Sequence, residues 1–98
     1  LNKVHNVIID PGFGFGKEID QNFEILKNLE IFQELNVPIL VGFSRKSMIY
    51  KSLKIQSTEA LNGTSVLNTV ALLKKANILR VHDIKEAKES IELCRKLF

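Results

Sequence analysis

Three short polar clusters hold the residues of this sequence best suited to chemistry. The first, Asp10-Pro11-Gly12-Phe13-Gly14-Phe15-Gly16-Lys17, combines a carboxylate with alternating glycines and two phenylalanines. Alternating glycines let the backbone approach a ligand closely. Asp10 can accept a pair of hydrogen bonds from an amidine-like edge such as a 2-aminopyrimidine, and Phe13 and Phe15 can stack on a flat ring. The competing reading is a tight turn in which Asp10 is a structural cap and the phenylalanines are core. The run matches neither the dinucleotide fingerprint nor the phosphate loop ending in Gly-Lys-Ser/Thr. The second cluster, Gly42-Phe43-Ser44-Arg45-Lys46, places a hydroxyl and two cations at the start of a helix, which suits an anion or a polar ring. The bland alternative makes Ser44 an N-cap with Arg45 and Lys46 solvated, although two cations there oppose the helix dipole. The third is Arg80-Val81-His82-Asp83. Residues two apart on a strand share a face, so Arg80 and His82 are expected to point together. A guanidinium fork there suits a phosphate or pyrophosphate, or else an internal carboxylate.

Each cluster directly follows a short apolar run: Val7-Ile8-Ile9, Ile39-Leu40-Val41 and Ile78-Leu79. These runs lack polar alternation, as expected of strands covered on both faces. The clusters recur about every 35 residues, roughly the length of one strand–helix unit. Helical patterns fill the gaps. Asp20 is the expected N-cap of a first helix with an apolar face of Phe23, Ile25, Leu26, Leu29, Phe32 and Leu35, stopped by Asn36 and Pro38. A short helix through Met48, Ile49 and Leu53 follows Ser44. A longer one opens at Ser57 or Thr58 and ends near Lys75, with Gly63 inside it for close packing or a kink. Asp83 and Glu86 have the spacing of a capping box opening a last helix, whose expected buried stripe is Ile84, Ala87, Ile91, Cys94 and Phe98. Three successive βα units imply parallel strands, and in such sheets ligands bind at the carboxyl ends of the strands. All three clusters lie there.

Composition bounds the rest. The chain has 98 residues, 45% of them hydrophobic and 26% charged, which suits one small globular domain and excludes a multidomain protein. A net charge of +3, without a basic block, gives no nucleic-acid footprint. No run approaches the roughly 20 apolar residues of a membrane span, and nothing at the start resembles a signal peptide. The single cysteine, Cys94, builds no disulfide framework, fits a reducing compartment, and reads as a core residue on a helix face. His5 reads as solvated, as do Lys85, Lys88 and Lys96. No metal-ligand spacing appears. The chain opens on Leu1 rather than Met, and its size makes for a doubtful core, so it is expected to be a piece of something larger.

The three clusters, in this order and spacing, resemble the C-terminal part of the bacterial dihydropteroate synthase family from about Val7 to Glu89, with Asn62-Gly63-Thr64 resembling a further Gly-Thr motif of that family. The resemblance implies an α/β fold, a partial (β/α)8 TIM barrel in which residues 1–98 are units six to eight rather than a complete domain. It implies condensation of 6-hydroxymethyl-7,8-dihydropterin pyrophosphate with 4-aminobenzoate to give dihydropteroate and pyrophosphate, in folate biosynthesis. By the same resemblance Asp10 binds the pyrimidine edge of the pterin and Lys46 a polar atom of the ring. Gly14, Phe15, Gly42 and Ser44 belong to the substrate-binding set, with Gly14, Phe15 and Ser44 along the aminobenzoate pocket where sulfonamides compete. Arg80 and His82 hold the pyrophosphate, so that Lys46, Arg80 and His82 are the implied catalytic groups. Mg2+ is the implied cofactor, its ligands mainly upstream of this segment and on the substrate. A cytoplasmic homodimer joined through the C-terminal helices is implied, with no nucleic-acid or membrane partner; the isolated segment is expected to be inactive, and oligomeric or partly folded. The family usually has Gly where this chain has Lys75, and often Arg near Ala60. A methyltetrahydrofolate-dependent methyltransferase barrel and a non-catalytic phosphate- or pterin-binding module are the alternatives.

Overall fold

The computed structural model describes residues 8–13 and 18–97. His5, Val7, Gly14, Phe15 and Phe98, to which the sequence assigns roles, lie outside the described residues. Four α-helices, α1 (Ile19–Lys27), α2 (Ser47–Leu53), α3 (Leu61–Leu73) and α4 (Ile84–Arg95), alternate with two short strands, β1 (Leu40–Val41) and β2 (Ile78–Leu79). The strands pair in parallel, with Leu40 opposite Ile78 and Val41 opposite Leu79. On the other side of β1, Ile9 forms a parallel bridge to Ile39. Its N–H donates to Pro38 O at 2.9 Å, and its carbonyl accepts from Leu40 N–H at 2.8 Å. The central position of β1 explains its composition, since Ile39, Val41 and Phe43 are all at most 1% exposed. In the flanking segments, Ile8 and Ile78 are exposed at the two edges of the three-segment sheet.

The helices differ from the sequence expectation in ways that packing explains. The first begins earlier, with Glu18 rather than Asp20 at the N-cap, because Gln21 closes a capping box by accepting the Glu18 N–H at 2.9 Å. It ends at Lys27, and the apolar pattern continues as a 3₁₀ helix, Leu29–Leu35, which buries Leu29 but leaves Leu35 exposed. Asn36 stops it in the left-handed conformation at φ 53°. The expected long helix after Ser57 is two pieces, a 3₁₀ turn Ser57–Glu59 and then α3, with Ala60 between them. In α4, Ala87 and Cys94 are buried as expected, but Ile84 is exposed. Asp83 stands at the N-cap without a side-chain capping bond, its carboxylate being drawn to Arg45 instead. The core gathers Phe13, Leu26, Leu29, Met48, Ile49, Ala60, Ala71 and Ala76 around β1.

Gly63 is explained by close packing. A Cβ there would lie 2.4 Å from Ile49 Cγ2, a branched methyl on a buried residue that cannot swing aside. Glycine costs about 1 kcal/mol against alanine in a helix, whereas overpacking costs about 1–3 kcal/mol. Gly63→Ala is therefore expected to destabilise a protein containing this segment despite the better helix former, and Ile49→Leu, which removes the offending branch, to recover part of the loss in denaturant melts. Lys75 presents the opposite case. It follows the C-cap of α3 at φ 75°, where an L side chain is strained. Lys75→Gly is expected to stabilise by about 0.5–1 kcal/mol in the same assay.

Candidate functional site

The three segments bring their polar clusters to one end of the sheet. Asp10 follows Ile9, the residues Gly42 to Lys46 follow β1, and Arg80 follows β2. Asp10 does two jobs. Its Oδ1 accepts the Gly12 N–H at 2.9 Å and so closes the turn, while its Oδ2 pairs with the Arg80 guanidinium at 3.2 Å. The capping and ligand-facing readings of Asp10 are thus compatible. Phe13 is core rather than a stacking surface, being 1% exposed with its ring 4.6 Å from that of Phe43.

Arg80 lies across the end of β1. Its backbone N–H donates to Val41 O at 2.8 Å, the last rung between the strands. Its guanidinium packs on the backbone of Gly42, where an added Cβ would come within 3.0–3.3 Å of three guanidinium atoms. Any side chain at position 42 would have to displace the Arg80 head. In this segment the Arg80 side chain is 51% exposed.

Lys46 reaches back from the N-cap of α2 to donate to the carbonyl of Phe13, tying the first and second clusters together. Burial holds its pKa below the ordinary value of 10.5, the nearby positive charge of Arg80 lowers it further, and Asp10 partly opposes both. Two cations and one carboxylate thus share a small volume. An anion there would relieve the repulsion between the cations.

Ser44 does not cap the helix. It sits in a turn, and its Oγ accepts the His82 N–H at 3.0 Å, joining the second and third clusters. The shared-face argument for Arg80 and His82 does not reach His82, because β2 ends at Leu79 and the chain has turned by then. Arg45 turns to Thr58 and Asp83 rather than to the other cations. The sequence marks Thr64 only as part of the Asn62-Gly63-Thr64 motif; in the structure its buried hydroxyl accepts the Arg45 N–H at 3.1 Å and donates to Ala60 O at 2.7 Å. Sequence reasoning did not find Asn77, whose Oδ1 accepts the Ile39 N–H at 2.9 Å at the far end of the sheet. The position of Asn77 just before a strand was the available signal. Among the described residues, no three His, Cys, Asp or Glu side chains converge as a metal site.

This arrangement has close counterparts among known proteins. Residues 3–82 match the family model described as pterin binding enzyme. The chain belongs to the pterin-binding enzyme family. Among its curated relatives, dihydropteroate synthase from Escherichia coli K12 is 42% identical over 87 residues, which is 89% of this chain and 31% of that protein. The enzyme of the same name from Clostridium beijerinckii is 46% identical over 85 residues, 86% of this chain and 32% of that one. The crystal structure of Yersinia pestis dihydropteroate synthase superposes with a TM-score of 0.89 at 36% identity, covering 92% of this chain and 37% of that one. The Thermus thermophilus enzyme, solved in complex with 6HMPPP, gives 0.88 at 33% identity, covering 94% and 38%. The chain therefore spans about a third of the length of these relatives.

The Asp10–Arg80 pair is a single-point contact, one guanidinium nitrogen to one carboxylate oxygen, so both groups keep further hydrogen-bonding capacity. The side chains are 34% and 51% exposed, and pairs this open are worth about 0–1 kcal/mol. A double-mutant cycle of Asp10→Asn and Arg80→Gln, read by denaturation, is expected to give a coupling in that range. A coupling well above it would make the pair a fixed strut rather than an exchangeable contact.

Proposed function

We propose that residues 1–98 are the last three strand–helix units of a (β/α)8 dihydropteroate synthase, and that the whole protein condenses 6-hydroxymethyl-7,8-dihydropterin pyrophosphate with 4-aminobenzoate. The observation that carries this reading is the convergence of Asp10, Lys46 and Arg80 at the carboxyl ends of parallel strands, in a chain whose relatives bear that name. The exposed sheet edges at Ile8 and Ile78 are what three units cut from a closed barrel would show.

In this reading Asp10 accepts hydrogen bonds from the pyrimidine edge of the pterin, and Lys46 donates to a polar atom of the same ring. Arg80 and His82 hold the pyrophosphate, while Gly14, Phe15 and Ser44 line the aminobenzoate pocket and Gly42 seats the Arg80 head. The bond between the pterin methylene carbon and the pyrophosphate oxygen breaks, and its electron pair leaves with pyrophosphate. Arg80 stabilises the charge that develops there. The amine nitrogen of 4-aminobenzoate forms the new bond to the methylene carbon and then loses a proton to solvent. No protein nucleophile is needed. Mg2+, when bound, neutralises pyrophosphate charge. Its ligands are assigned mainly to the substrate pyrophosphate and to the preceding part of the protein. The cationic site favours a pyrophosphate substrate over the methyltransferase alternative.

We further assign the protein to the cytoplasm, as its resemblance to dihydropteroate synthases implies. The exposed Val66 and Leu73 on α3, and Leu93 and Leu97 on and just after α4, support a homodimer contact through these helices.

The test is dihydropteroate formation by the full-length protein, followed with labelled 4-aminobenzoate. Product is expected from the full-length protein, none from residues 1–98 alone, and a loss in kcat of about 10²–10³ in Arg80→Ala. Absence of product from the full-length protein would overturn the reading, as would turnover by the isolated segment. Protonated Lys46 is the donor, so pterin affinity is full below its pKa and falls above it. Because burial and Arg80 hold that pKa below 10.5, the fall is expected to begin at a lower pH than for an ordinary lysine, and Lys46→Met is expected to lack this limb.

A further inference from the structure

The proposed chemistry makes no use of Arg45, yet both its backbone and its side chain are held in the turn after β1. It adopts φ 52°, a conformation that glycine or asparagine takes far more readily than arginine. Its backbone N–H donates to Thr64 Oγ1 at 3.1 Å. Its guanidinium donates to the carbonyl of Thr58 at 2.7 Å, less closely to that of Ser57 at 3.4 Å, and to Asp83 Oδ1 at 3.1 Å. The Arg45–Asp83 pair is partly buried, with side chains 29% and 21% exposed.

The placement of the partners gives this arrangement a consequence. Ser44 precedes Arg45 and accepts the His82 N–H at 3.0 Å, and His82 precedes Asp83. Two adjacent residues of one turn thus grip two adjacent residues of the other. Lys46 follows directly on one side of this double link, and Arg80 lies two residues before His82 on the other. Asp83 also has the sequence context of a capping box with Glu86, but its carboxylate gives no cap to α4 and goes to Arg45 instead.

We infer that Arg45 is a positioning residue that acts through Asp83, fixing the turn of Arg80 and His82 against that of Ser44 and Lys46. This rests on the dihydropteroate synthase reading above. Strain is maintained at Arg45 because only a guanidinium can span the Thr58 carbonyl and the Asp83 carboxylate together; lysine offers one compact head.

The test uses the full-length enzyme with Arg45→Lys, Arg45→Ala, Asp83→Asn, Asp83→Ala and the double alanine variant, assayed well below their melting temperatures. Misplacing groups by about 1 Å can cost about a hundredfold in rate, so each single variant is expected to lose about tenfold to a hundredfold in kcat. The double variant is expected to be no worse than the weaker of its singles, and methylguanidinium is expected to restore part of the rate of Arg45→Ala. If Arg45→Ala does not fold, Arg45→Lys and Asp83→Asn decide alone. Folded variants with wild-type kcat and KM, or losses that add in the double variant, would overturn the inference. If the wild-type enzyme forms no dihydropteroate, the functional reading fails by itself. Positioning is then judged by calorimetric titration with pyrophosphate, which the variants must weaken about tenfold if the inference holds; unchanged affinity would overturn it.

Discussion

Backbone hydrogen bonding on both sides of Ile39–Val41 is the constraint on which the site depends. The Ile9 segment pairs with one side of this strand and β2 with the other. Because all three run in parallel, the residue after each one emerges at the same end. That brings Asp10 and Arg80, far apart in sequence, to one end, where the Arg80 side chain crosses Gly42 to meet Asp10 at 3.2 Å. Burial of Ile39, Val41 and Phe43 holds the central strand in place. A register slip of one residue would turn these side chains out and carry the polar clusters away from one another.

On this platform the site is assembled from contacts of unequal strength. The buried contacts sit behind it: the Phe13–Phe43 ring pair, the Thr64 hydroxyl and the backbone of Gly42. The contacts in front are open to solvent and to exchange, above all the Asp10–Arg80 pair. A carboxylate and a guanidinium that satisfy each other in the absence of ligand avoid the cost of unpaired charge. They also yield readily, since an exposed pair returns little free energy. Lys46 is intermediate. It is held by the Phe13 carbonyl, yet its charge is disfavoured by burial and by Arg80.

The sequence showed the order of elements, the parallel sheet and the three clusters, because each signal is local: apolar runs of β-branched residues, turn residues and cap residues. What it could not show was where a side chain is used for something other than its local role. Asp83 looks like an N-cap and is spent on Arg45. Ser44 looks like an N-cap and receives the His82 N–H. Phe13 looks available for stacking and is fully buried. Each of these depends on a partner more than 20 residues distant, and no periodicity encodes that. The break of the first helix at Asn28 was hidden for a different reason, since a 3₁₀ continuation keeps much of the same apolar pattern over one or two turns.

Among the described residues, four other than glycine take a positive φ: Asn36, Arg45, Lys54 and Lys75. Asn36, Lys54 and Lys75 follow helical segments and are exposed, so they serve as stops, where the left-handed conformation satisfies the last carbonyls. Arg45 ends no helix. It stands in the turn between a buried strand and the helix that carries Met48 and Ile49 into the core. At a helix stop glycine supplies the same conformation without strain, and the stop is kept. At Arg45 glycine would free the backbone and abolish the bridge to Thr58 and Asp83. A strained residue held by its own side chain is over-determined by its surroundings, which is the condition under which backbone strain persists at functional sites. The cost of the conformation is thereby linked to the relative placement of the two turns that carry Lys46 and Arg80.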